Sequence, residues 1–269
     1  MEDRLKTEQT ERIRRIAENI AEVRGRIAAA AARGGRDAAA VTLLAATKTR
    51  TPEEMAAAAF AGVLDLGENR VQEYEAKIEE VQYLVQTGAD SQKKPNIKWH
   101  FIGHLQRNKV KYIAKSVDLI HSLDSVELAA EIDARAAQAN RRIRVLIEVN
   151  TAGEAQKSGV RPQDAEGLAL AVTERFAAVE VAGLMAVVPI VSDPVEARPW
   201  FRQTRELFEG ISARHGPDGD GFLPVFTELS MGMTQDYEVA IEEGATIVRV
   251  GTGIFGARAY APGQMEETK

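Results

Sequence analysis

Short apolar runs alternate with helical patterns along almost the whole chain. The runs fall at 41–47, 63–66, 98–102, 118–122, 143–149, 181–187, 224–230 and 246–250. Between them, apolar residues recur three or four positions apart, predicting helices near 52–61, 69–85, 105–115, 125–139, 163–175, 195–213 and 235–243. A further helix is expected over 7–33, where Ile13, Ile16, Ile20, Val23 and Ile27 repeat among charges and Gly34-Gly35 stops the pattern. Thr51-Pro52-Glu53-Glu54 places proline and carboxylates in a first helical turn, and Ser125-Val126-Glu127 opens the next segment similarly. Strict strand–helix alternation predicts a parallel sheet. Eight strands close most economically into an α/β fold of the (β/α)8 TIM-barrel type, here with an extra N-terminal helix. No G-x-G-x-x-G follows the first run, which argues against an open doubly wound sheet. Thr87 to Pro95 and His215 to Gly221 read as surface insertions rather than linkers, so residues 1–269 are expected to form one domain.

In such a barrel, chemistry sits at the C-terminal ends of the strands. Those ends read Lys48, Gly67-Glu68-Asn69, Ile102-Gly103-His104, His121-Ser122, Asn150, Met185-Ala186, Ser230-Met231-Gly232 and Arg249-Val250-Gly251-Thr252-Gly253. A lysine at a strand end can be merely solvated. Partial burial disfavours an ammonium, and a neutral amine attacks carbonyls. The glycines after the last two strands can be ordinary turn residues. Lying on the two strands where barrels commonly hold phosphate, they are better read as a backbone cradle. A reactive lysine facing a phosphate site points to a phosphorylated aldehyde, of which pyridoxal 5'-phosphate (PLP) is the commonest.

Arg249 lies inside the apolar run Thr246–Val250 and needs partners if buried. An ion pair with Glu68 or Asp236 is one possibility. Contact with a ring nitrogen, which arginine would keep unprotonated, is the other. His100 and His121 lie mid-strand, as core groups or pocket contacts. Arg107, Lys109, Lys111 and Lys115 form a basic stretch, a solvated face or a local attraction for an anion.

Composition narrows the classes. The 269 residues carry a net charge of -6, unlike a nucleic-acid module with its basic face. Cysteine is absent, which removes disulfides, thiolate metal sites and a cysteine nucleophile. Four histidines without paired ligand spacing do not suggest a metal centre. The charged N-terminus is no secretory signal and no apolar stretch reaches membrane-spanning length, so a cytoplasmic protein is expected.

Several motifs, in order and over nearly the whole chain, resemble the PLP homeostasis protein family. They are Ala46–Thr49, Gly67–Glu73, Trp99–Lys109, His121–Asp124, Glu148-Val149-Asn150 with Lys157-Ser158-Gly159, Gly183-Leu184-Met185, Leu229–Met233 with Asp236, and Val248–Gly256. Arg70, Thr47 and Gly253 depart from residues frequent in the family, without removing a group a PLP site needs. The resemblance implies a barrel similar to the N-terminal domain of alanine racemase. PLP would be held as a lysine aldimine on Lys48. Ser230 and the Gly251-Thr252 backbone would hold the phosphate, Arg249 would face the pyridine nitrogen, and Asn69 would lie near the ring. It further implies a role in vitamin B6 homeostasis without robust catalytic turnover, acting as a monomer, with PLP-dependent enzymes as possible recipients. In alanine racemases a second domain supplies the opposing acid/base; only Ala257 to Lys269 follow Gly256 here. A PLP-dependent amino-acid racemase-like enzyme is the alternative, and a Schiff-base aldolase or another phosphate-binding barrel enzyme without PLP a further one.

Overall fold

The computed structural model describes residues 2–88, 94–154 and 157–257, with side chains from residue 10. The central part of the expected 87–95 insertion, 89–93, lies outside the described residues. Eight parallel strands close into a barrel in sequence order. They are β1 (Thr42–Ala46), β2 (Asp65–Glu68), β3 (Lys98–Phe101), β4 (Leu119–Leu123), β5 (Ile143–Val149), β6 (Val179–Ala186), β7 (Glu228–Met233) and β8 (Ile247–Val250). The described helices are α1 (Glu2–Arg33), α2 (Pro52–Phe60), α3 (Val71–Thr87), α4 (Val110–Ile113), α5 (Val126–Gln138), α6 (Pro162–Arg175), α7 (Arg198–His215), α8 (Tyr237–Glu242) and α9 (Thr252–Phe255).

Local sequence explains much of this. Thr51 caps α2 with a reciprocal capping box: its side chain accepts from Glu54 N–H while the Glu54 carboxylate accepts from Thr51 N–H. Ser125 caps α5 by accepting from Leu128 N–H. Strand β7 starts four residues later than the apolar run predicts. Pro224 lacks a ladder donor, and the buried Leu223 and Phe226 form a turn in which Phe226 N–H donates to Leu223 C=O. The expected helix over 105–115 is shorter: a 3-10 turn at Arg107–Lys109 runs into the four residues of α4.

Two apolar clusters result. The larger fills the space between barrel and helices. The smaller lies within the barrel and gathers Leu44, Leu119, Leu146, Ala182, Met185 and Ile247 from five strands. Ile16, Ile20, Val23 and Ile27 of α1 are buried against the barrel, whereas Ile13 of the same stripe is exposed. This helix closes the seam between the first and last strands. Asn19 donates to Ile254 C=O, Arg26 and Arg33 pair with Glu238, Arg33 also pairs with Glu242, and Arg36 donates to Ile241 and Ala245 C=O.

Candidate cofactor site

Because all eight strands are parallel, Lys48, Asn69, Gly103, Asn150 and Gly251 follow their strands onto one face of the barrel. Lys48 sits in a tight turn closed by Arg50 N–H donating to Thr47 C=O at 2.9 Å. Thr49, the next residue, has φ 63°, a left-handed conformation that a β-branched side chain rarely adopts. Glu73 of α3 holds it there by accepting from Thr49 N–H at 2.8 Å and from Lys77 Nζ at 2.8 Å. Burial works against the Glu73 charge, yet the bonds from Lys77 and Thr49 keep its carboxyl below the usual range. On the other side of the turn, the buried Thr47 hydroxyl donates to Glu68 Oε1 at 2.7 Å, and Lys77 Nζ donates to the same oxygen at 3.0 Å. Burial pushes the Glu68 carboxyl up, with Lys77 pulling against it. The turn carrying Lys48 is thereby held from beneath and from α3.

Arg249 is buried in β8. Its Nη1 donates to Ser230 Oγ at 2.7 Å and its Nη2 to Ala186 C=O at 3.1 Å. Neither carboxylate expected as a partner pairs with it. Glu68 pairs with Lys77, and Asp236 accepts from Met233 N–H to shape the turn after β7. Asp236 and Glu148 act on Arg249 only through their field. Burial pulls the guanidinium down to about 10, those two carboxylates opposing the shift, so it stays cationic at neutral pH.

Ser230 lies within the barrel rather than at its rim. It is completely buried, and its hydroxyl already meets both Arg249 and, at 3.0 Å, His121 Nδ1. These contacts hold Ser230 beside Arg249. A hydroxyl that does meet the Gly251-Thr252 turn is that of Thr234, whose Oγ1 accepts from Gly251 N–H at 3.1 Å. Thr234 was not singled out in the sequence, although it lies just past the Ser230–Gly232 motif. Gly232 provides the bend between them: it adopts φ 89°, and a Cβ there would stand 2.9 Å from Tyr237 Cα. Thr252 and Gly253 begin α9, so their N–H groups precede its first intrahelical bonds.

Several buried polar atoms near the strand ends have no hydrogen-bond partner among the described residues: Asn69 Oδ1, Ser122 Oγ, Glu148 Oε2 and Asn150 Oδ1. Buried polar atoms normally have partners, so this set suits a polar ligand. The segment after β5 folds back beside that strand, with Val160 N–H donating to Glu148 C=O and Ser158 Oγ to Glu148 Oε1 at 2.8 Å. Arg107 lines a cleft of about 1040 Å³ beside the barrel, but Asp124, Glu127 and Glu131 line it too, so that stretch offers no uniform basic surface. Among the described residues no group of three or more potential ligands could hold a metal ion.

The model of the alanine racemase N-terminal domain matches residues 12–259. The pyridoxal phosphate homeostasis protein of Aquifex aeolicus is 44% identical over 243 residues, covering 90% of this chain and 98% of that one. The chain belongs to the pyridoxal phosphate homeostasis protein family.

Solved structures agree with this family membership. A crystal structure of a protein from Bifidobacterium adolescentis superposes with a TM-score of 0.82 at 41% identity, covering 91% of this chain and 96% of the other. The family member PipY of Synechococcus elongatus, solved with PLP bound, gives a TM-score of 0.72 at 31% identity, covering 90% of this chain and 100% of PipY. The expected barrel and family resemblance are thus both borne out.

Proposed function

We propose that this chain binds PLP and maintains its intracellular supply, without robust turnover of amino acids. The observation that carries the reading is Arg249: a buried guanidinium that, among the described residues, has no carboxylate within ion-pair distance and lies two residues before the Gly251-Thr252 turn. The residues fit the cofactor. The orphaned buried acceptors suit a polar ring, the glycine turn suits an anion, and Lys48 is held at the same face. The PLP-bound PipY and the relatives named for PLP homeostasis support the assignment.

When bound, PLP supplies an aldehyde that a lysine amine captures reversibly. The residues of this chain take distinct parts. Lys48 would hold the aldehyde carbon from its braced turn. The Gly251-Thr252 backbone would bind the phosphate, together with the hydroxyl of Thr234, which accepts from Gly251 N–H. Asn69 would contact the ring. Arg249, kept in place by Ser230, would donate to the ring nitrogen and leave it unprotonated, since arginine holds its own protons. An unprotonated ring is a weak electron sink, which favours storage over carbanion chemistry. Residues 1–269 would act as one PLP-binding barrel, a cytoplasmic monomer, with PLP-dependent enzymes as recipients. Among the described residues no helix is long and apolar enough to cross a membrane.

Reduction of the PLP-loaded protein with borohydride, followed by peptide mass spectrometry, tests the assignment. Pyridoxyl should appear on the Lys48 peptide and vanish in Lys48→Ala; equal labelling elsewhere in that variant would refute it. Deuterium exchange at the α-carbon of alanine should run far below about 1 s⁻¹, and exchange at that rate or faster would establish the racemase-like alternative.

A further inference from the structure

The barrel interior holds a continuous line of polar contacts leading away from the candidate site. Arg249 Nη1 meets Ser230 Oγ at 2.7 Å, and Ser230 Oγ meets His121 Nδ1 at 3.0 Å. His121 Nε2 meets His100 Nδ1 at 2.9 Å, and His100 Nε2 meets Asp65 Oδ1 at 3.0 Å. The line passes from β8 through β7, β4 and β3 to β2. His121 and Ser230 are completely buried, while Asp65, at the first residue of β2, keeps some exposure.

The hydrogens along this line can be counted. Arginine only donates, and an ionised carboxylate only accepts. His100 therefore gives its Nε2–H to Asp65, and a neutral ring then has a bare Nδ1. That bare nitrogen needs a hydrogen from His121 Nε2, which leaves His121 Nδ1 bare in turn. The single hydroxyl hydrogen of Ser230 fills it, and the Ser230 oxygen receives Arg249 Nη1–H. Each of the four contacts thus carries one hydrogen, all pointing from Arg249 toward Asp65. The opposite tautomer of His121 would set two bare nitrogens against each other at 2.9 Å unless His100 took a second proton. Burial, reinforced by His100 and Arg249, holds the His121 imidazolium far below its usual range, so that ring is neutral.

We propose that Asp65, His100 and His121 are positioning residues, forming with Ser230 and Arg249 a one-way hydrogen-bond chain that turns the Ser230 lone pair toward Arg249. The guanidinium is thereby fixed at two of its five N–H groups, leaving three for other acceptors. The link to the cofactor rests on the PLP reading above. The tautomers do not, because they can be read in protein without ligand.

The test is a long-range ¹H–¹⁵N correlation of histidine-labelled, PLP-free protein at neutral pH, with His104→Gln and His215→Gln assigning the other two of the four rings. Both His100 and His121 should show a protonated Nε2 and a bare Nδ1. A protonated Nδ1 on His121, or two protons on His100, overturns the chain. Asp65→Leu, or Asp65→Ala should the leucine not fold, should mix the His121 tautomers and weaken PLP binding by about fivefold or more, within the decade that 1.4 kcal/mol represents. Asp65→Asn keeps an acceptor and should retain both native tautomers. Native tautomers in Asp65→Leu, or mixed tautomers with native affinity, overturn the positioning role. Failure of the native protein to bind PLP would instead count against the PLP reading, whatever the tautomers show.

Discussion

Gly103→Ala offers a sharp test of how the candidate site is assembled. A Cβ at Gly103 would stand 2.2 Å from Asn69 C=O oxygen and 2.8 Å from Asn69 C and Cα. Carbon–oxygen contacts close at about 3.3 Å, so the segments after β2 and β3 must separate by about 1 Å. Backbone, not a flexible side chain, is in the way, and Ile102 N–H donating to Glu68 C=O at 2.8 Å ties those segments together beside the clash. Overpacking of this kind costs about 1–3 kcal/mol, and loss of the adjoining hydrogen bond about 1 kcal/mol more. For a chain of this size that corresponds to a fall in Tm of roughly 5–10 °C. Displacing Asn69 by about 1 Å should also weaken PLP binding by tenfold or more. Thermal unfolding by circular dichroism and a PLP titration by absorbance read the two effects. Gly167→Ala in α6, where a Cβ meets nothing within 4 Å, is the control and should gain about 0.5–1 kcal/mol. If Gly103→Ala melts within about 1 °C of the native protein and binds PLP within about twofold, the close approach does not govern the site.

Other outcomes follow from the same geometry. In Gly251→Val the Cβ starts 3.3 Å from Ala46 C=O oxygen and its branches add bulk at the turn, so PLP affinity should fall at least about tenfold, roughly 1.4 kcal/mol; equal affinity of the native protein for pyridoxal and PLP would contradict a phosphate site there. Burial raises the Glu148 carboxyl, so its contribution to stability is complete below the unfolded value of about 4.3 and is lost as pH rises through the native value. Glu148→Gln removes that titration and should gain stability over the native protein from about pH 4 to about pH 8 in urea unfolding; a constant difference would refute the sign. Thr234→Val should weaken PLP binding by roughly 0.5–1.5 kcal/mol in the same titration, the usual worth of one hydrogen bond.

The architecture was legible because its signals are local. Apolar runs, the Thr51 capping box and the Gly34-Gly35 stop need only neighbouring residues, and parallel strands carry Lys48, Asn69 and Gly251 to one face without further information. Local signals fail where proline or register decides. Pro224 displaced β7, and the same apolar composition formed a buried turn. The partners of Arg249 and Ser230 were illegible for another reason: His121 and Ser230 lie 109 positions apart, and their contact depends on how four strands align across the barrel. Ser230 was read only through the Ser230-Met231-Gly232 cluster at a strand end, which says nothing of its contacts to Arg249 and His121. Its place in the interior follows from its register opposite Ile247 and Met185.

The clasp of α1 against the last elements also bears on the order of events during folding. Its polar contacts join residues 205 to 235 positions apart. Closing a loop of that size costs about 5 kcal/mol of chain entropy before any contact rewards it. The strands between can pair successively with their neighbours, so the clasp belongs to the end of the process. Contacts that form after the rate-limiting step slow unfolding and leave refolding almost untouched. The Arg33 and Arg36 contacts are therefore a latch on lifetime: their loss should shorten the survival of the closed barrel far more than it delays its formation.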